Sequence, residues 1–170
     1  MGTAVSWVLL ILPWFLLIPL NMKRVKRFLS VAFFTTIVDT ILFQTAEVLN
    51  WWNVSSNVAF LTSVSSFTYG FLPVTTIIVF YFTYPNVWLF FGVNFVIDAL
   101  QAFIISPYVF MKVGLYQLNS MSNLGLFFLL IGHLPIIFLY QRWYDEFAGE
   151  VSYLPKLKLA IAKRLTSNKK

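Results

Sequence analysis

The 170-residue chain has no cysteine. Disulfides, thiolate metal sites, cysteine nucleophiles and palmitoylated cysteines are therefore all excluded. Redox usage says nothing about compartment. Histidine occurs once, and Asp and Glu together only 6 times. Charged residues are 11% of the chain, less than half of the roughly 25% usual in soluble domains. In their place stand 59% hydrophobic and 19% aromatic residues, with a mean hydropathy of +0.80. A water-soluble globule of this size cannot hide so much apolar surface. Disorder is excluded by the same numbers, since its signature is low hydrophobicity. An integral membrane protein remains.

Catalytic motifs are also missing. The chain contains no HExxH, GxSxG, GxxxxGK[ST] or GxGxxG pattern, so the common zinc, serine-nucleophile, phosphate-loop and dinucleotide signatures are absent. Ser63, Ser65 and Ser66 have no base that the sequence pairs with them, and such residues in an apolar helix usually bond to their own backbone. Neither an enzyme nor a cofactor is expected.

What is present is a set of apolar stretches long enough to cross a bilayer, which takes about 20 residues each. Five are predicted, at about residues 3–20, 28–50, 58–84, 87–106 and 123–141. The fold class is accordingly all-α, a polytopic transmembrane bundle over residues 1–143 with a basic tail at 144–170. The first charge, Lys23, follows the first apolar core. A cleavable signal would place positive charge before it, so a retained helix is expected. The third stretch carries Gly70 and Pro73 near its middle, which predicts either one kinked helix or two abutting segments. Thr62, Ser66 and Gly70 repeat every four residues, a small-residue ridge suited to close helix packing, including packing on a second copy. A broken helix lining a cavity is the sharper alternative.

Orientation follows from the basic residues. Lys23, Arg24, Lys26 and Arg27 lie in the first connection, and seven more lie from Arg142 onward. With five spans these eleven share one side, against Lys112 alone on the other. The positive-inside rule then puts the N-terminus outside and the C-terminus in the cytoplasm. Trp51, Trp52, Tyr84, Trp88, Tyr108, Trp143 and Tyr144 fall near predicted span ends, as an interfacial aromatic belt does. The net charge of +6 and pI near 9.7 point to an anionic inner leaflet rather than to nucleic acid. Lys156, Lys158, Lys163 and Arg164 would make that contact. A helix there aligns Leu157, Ile161 and Leu165 and would lie on the membrane surface; a solvated tail is the alternative.

Ionisable groups inside a span cost roughly 2.5–3.5 kcal/mol at the bilayer centre on insertion scales. Asp39, Glu47, Asp98 and His133 are the four in question. Asp39, Asp98 and His133 each lie ten or eleven residues into their spans, so all three sit within about one turn of the midplane. Glu47 is nearer the outer surface. Asn94, Asp98 and Gln101 fall at i, i+4 and i+7, one narrow stripe. Thr36, Asp39, Thr40, Gln44 and Glu47 cover an arc of about 140° at 100° per residue, and His133 shares a face with Tyr140.

These stripes predict a polar site of Asp39, Asp98, His133, Glu47, Asn94, Gln101 and Gln44 that binds a small solute or ion. Protons would pass through the aspartates and the histidine, since buried carboxylates and imidazole exchange protons near neutral pH. The chain would then be a transporter or a solute-binding membrane subunit. The alternative is a hydrogen-bonded cluster that locks three helices together in a non-catalytic assembly or scaffolding subunit. One histidine without ligand spacing argues against a metal. Five spans enclose a narrow path, so a homo-oligomer or partner membrane subunits are expected.

The stretches WFLLIPLNMKRVKRFLSVAFF (14–34) and YGFLPVTTIIVFYFTYPNVWLFFGVNFVIDALQAFIISP (69–107) carry a likeness. With their basic first turn, Tyr-Gly-x-x-Pro kink, Tyr-Pro turn and Asn-x-x-x-Asp stripe, residues 10–145 resemble the small five-span membrane proteins of spore-forming Gram-positive bacteria. The resemblance implies a bacterial plasma membrane and five spans. It implies no activity, ligand or site residues.

Overall fold

An apolar backbone surrounded by lipid has to satisfy its N–H and C=O groups internally, and helices do so within one segment. The computed structural model describes residues 2–54, 66–114 and 116–167, and these are overwhelmingly helical. Helix α1 (Gly2–Ile11) leads into a 3-10 helix, Leu12–Leu17, where Pro13 stands at the start. Helix α2 (Met22–Val48) is capped by Asn21, whose side chain accepts the Lys23 N–H at 3.0 Å, satisfying one of the free donors of a first turn. A short turn of helix, α3 (Ser66–Tyr69), is separated by Gly70 from α4 (Phe71–Thr83). After the cis Tyr84–Pro85 bond, Asn86 caps α5 (Val87–Leu100), accepting the Leu89 N–H at 3.1 Å.

Helix α5 continues through a π-helical stretch, Gln101–Phe110, into α6 (Met111–Val113). Pro107 explains the change of winding. Proline has no N–H and its ring crowds the carbonyl four residues back, and a wider turn relieves both. Gly114, at φ +73°, ends α6, where a left-handed residue suits glycine. The fourth expected span therefore runs on to Phe110 rather than ending at Ser106. The last helix is α7 (Asn123–Ser167). The chain divides after Ile137 into two compact units. In the second, Gln141 Nε2 donates to Asp145 at 3.1 Å, and Tyr140 stacks on Tyr144.

Four helices among the described residues are long and apolar enough to cross a membrane: Met22–Val48, Ser66–Thr83, Val87–Phe110 and Asn123–Gly149. The chain is thus an all-α, multi-pass membrane protein. The expected first span forms a shorter apolar helix, Ala4–Leu17.

In the first unit, α2 and α4 make the most extensive helix pairing. Helix α2 buries Val25, Phe28, Val31, Ala32, Thr35, Asp39 and Ala46, a stripe at three- and four-residue spacing. Phe33, Ile37 and Ile41 on its other face are exposed, as side chains that meet lipid tails are. Phe80 of α4 joins Phe28 of α2 and Phe90 of α5, with ring centroids 5.7 and 4.7 Å away. Phe127 of α7 packs on Phe95 and Phe103 at 5.3 and 5.5 Å. Helix α1 comes close at Gly70: a Cβ there would lie 2.5 Å from Leu10 Cα.

Trp52–Val54 (β1) and Tyr116–Leu118 (β2) form an antiparallel ribbon with Trp52 opposite Leu118. Its root is the end of α2, where the Trp51 N–H reaches Ala46 O at 2.8 Å and the Asn50 N–H reaches Glu47 O at 3.1 Å. This double bond with Asn50 at φ 55° is the usual way a helix turns off its axis. Asn50 then holds the facing segment, its backbone oxygen accepting from Ser120 Oγ at 2.8 Å and its side chain from Asn119 Nδ2 at 2.9 Å.

Candidate intramembrane site

A cavity of about 120 Å³ lies within the first unit. Helix α2 brings Asp39 to it, α5 brings Asn94 and Asp98, the π-helical stretch Gln101, and α7 His133. Asp39 is 4% exposed and Asp98 9%. His133 Nε2 lies 3.7 Å from Asp39 Oδ1, an ion-pair distance too long for a hydrogen bond. His133 Nδ1 is 3.3 Å from Leu129 O, so that nitrogen donates to the backbone carbonyl. Asn94 Nδ2 donates to Phe90 O at 2.8 Å, which leaves its oxygen free to turn to the cavity.

Several polar atoms are unsatisfied here. Asp39 Oδ2, Asp98 Oδ2 and Trp52 Nε1 are buried without a hydrogen-bond partner among the described residues. Leaving a buried polar group unpaired costs about 1–3 kcal/mol, and more for a charged one. Such atoms therefore mark a place where water, a proton or a solute completes the site.

The hydroxyls of α2 do not fill the role. Thr35, Thr36 and Thr40 donate to backbone carbonyls four residues back, at 2.9, 2.9 and 2.7 Å. Thr40 Oγ1 also stands 3.5 Å from the Tyr69 hydroxyl.

Of the seven polar residues singled out from the sequence, five line the cavity. Gln44 and Glu47 do not; both are exposed. They sit beyond the buried stripe because an arc of about 140° is wider than the α2 face that its neighbours cover. Of the small-residue ridge, Ser66 and Gly70 are buried, with Gly70 turned to the α1 backbone; Thr62 lies outside the described residues. A second copy of the chain therefore finds Gly70 already covered.

Trp52 was missed. Grouped with the interfacial aromatics, it is instead 3% exposed and lines the cavity, because the ribbon folds it back beside Phe43, 5.1 Å between ring centroids. Trp88, by contrast, is exposed. The aromatic walls, including Phe67, Phe80, Phe90 and Phe110, were likewise hidden among the 19 phenylalanines of the chain. Among the described residues no group of three or more His, Asp or Glu side chains is placed to hold a metal ion.

No family model, curated protein or solved structure matches the chain.

Proposed function

We propose that this chain is a small transporter or solute-binding membrane subunit whose site is the cavity of Asp39, Asp98 and His133. The observation that carries the reading is the convergence of three ionisable side chains, one from each of three helices, on one cavity with a carboxylate oxygen of each aspartate left without a partner. A cluster serving only to lock helices gains most when its polar atoms bond one another. The remaining oxygens are better suited to a solute or to protons in transit.

In this reading the chain crosses a bacterial plasma membrane five times, N-terminus outside. At about 1.5 Å per α-helical residue and 2.0 Å per 3-10 residue, α1 and the 3-10 helix extend about 27 Å. That approaches a hydrocarbon core of about 30 Å. The helical backbone of residues 150–167 suits a segment lying on the inner leaflet, where the charges of Lys156, Lys158, Lys163 and Arg164 would attract anionic lipid. A homo-oligomer or partner membrane subunits would complete the path.

The test is Asp98→Asn, which keeps shape and removes charge. Purified protein is reconstituted in vesicles containing a pH-sensitive dye, and proton movement is followed as candidate solutes are added. Solute-driven proton flux should fall at least about tenfold, a loss of 1.4 kcal/mol or more, with thermal stability retained. Lost stability with unchanged flux would make the cluster structural and the chain an assembly subunit.

A further inference from the structure

We infer that the solute taken by this cavity is a small primary amine in its ammonium form. The inference rests on the reading of the cavity as a solute site and narrows it to one chemical class. Charge comes first. The lining contains two aspartates and no lysine or arginine, so an anion would enter against like charge with nothing to pair it. A cation enters with favourable charge.

Donor chemistry narrows the class further. The orphan atoms of Asp39 and Asp98 are both carboxylate oxygens, and an ammonium group supplies three N–H donors. Asp39 Oδ2 and Asp98 Oδ2 take two of them. The third is left for the side-chain oxygens of Asn94 and Gln101, which line the same cavity. A quaternary ammonium has no N–H and would leave both carboxylate oxygens unpaired.

The walls separate an organic from an inorganic cation. Hard metal ions want six or more oxygen ligands at short distance, and no three His, Asp or Glu side chains among the described residues are placed for that. The cavity is instead walled by Phe43, Trp52, Phe67 and Phe110. Their ring faces attract an ammonium group, and their apolar surface takes up the hydrocarbon part of an amine. A volume of about 120 Å³ suits a solute of a few carbon atoms.

The test uses the full chain purified in detergent and its thermal unfolding. Four probes are titrated: n-butylammonium, n-butanol, butyrate and sodium ion. A ligand that binds only the folded chain raises Tm as its concentration passes Kd. Butylammonium alone should raise Tm, and Asp39→Asn or Asp98→Asn should weaken its apparent affinity by at least about tenfold. The selectivity among the four probes is read on the unmodified chain, so a variant that fails to fold leaves the result intact. Butanol or butyrate binding as well as butylammonium would overturn the amine while keeping a solute site. A response to sodium ion equal to that to butylammonium would overturn it in favour of an inorganic ion. Stabilisation by none of the four at 100-millimolar order would overturn both this inference and the reading beneath it.

Discussion

Replacing Gly70 by alanine adds one methyl group where the chain packs against the α1 backbone. The backbone there is right-handed, φ −108° and ψ −66°, so alanine meets no conformational penalty. Gly70 stands at the N-cap of α4, where alanine has none of the propensity advantage it has in a helix interior. Packing opposes the change. The new Cβ would stand 2.5 Å from Leu10 Cα and 2.6 Å from Leu10 O, and inside hard contact with the Leu9 carbonyl oxygen. All three are backbone atoms of α1 and cannot rotate away, so the helix itself has to move. Overpacking typically costs about 1–3 kcal/mol, and an immovable neighbour puts this site at the top of that range. The loss is about 3 kcal/mol, or on the order of 6–12 °C in Tm for a chain of this length. Thermal unfolding in detergent measures it, with Gly92→Ala as the paired control. At Gly92 an added Cβ meets nothing within 4 Å, and the change should be neutral or slightly stabilising. If the two variants behave alike, α1 does not rest on Gly70 and the packing described for that end of the chain is wrong.

Three further outcomes are expected. Ala46→Leu pushes a larger side chain against Trp52, Ala102, Leu126 and Phe127, where Ala46 is fully buried, and should cost about 1–3 kcal/mol. Val48→Leu, on an exposed position, should stay within about 0.5 kcal/mol, and equal effects in thermal melts would contradict the cluster. Arg24 sits over the Tyr81 ring, 4.6 Å from its centroid, so a double-mutant cycle of Arg24→Gln and Tyr81→Leu should show a coupling of about 0.5–1 kcal/mol. Additive single effects would mean that the stack is not made in solution. Reporter fusions at residue 170 should signal from the cytoplasm, and an outside signal would overturn the eleven-to-one reading of the basic residues.

Much of the helical frame was legible because its causes are local. Apolar length announces a span, and the spacing of Asn94, Asp98 and Gln101 announces a polar stripe. Where the cause was non-local, sequence reasoning fell short. The strands Trp52–Val54 and Tyr116–Leu118 have 3 residues each, too few for any periodic signal. They pair only because α2 ends on Asn50 and the segment after Gly114 comes back to meet it. Trp52 was misplaced for the same reason. Beside a span end an indole reads as an interfacial anchor, and only the ribbon turns it inward.

Composition by itself determined the class of this protein: with 18 of 170 residues charged, the chain belongs in a membrane, because apolar surface on this scale cannot be kept from water. Helical periodicity determined which face of each segment is polar. Periodicity leaves the rotation of one helix against another undetermined, since that depends on side chains far apart in the chain. Tertiary structure alone decided that Asp39, Asp98 and His133 share a cavity while Glu47 and Gln44 do not, and that Gly70 serves α1. The physical reason is that close packing is a property of pairs of surfaces, and no single helix carries both.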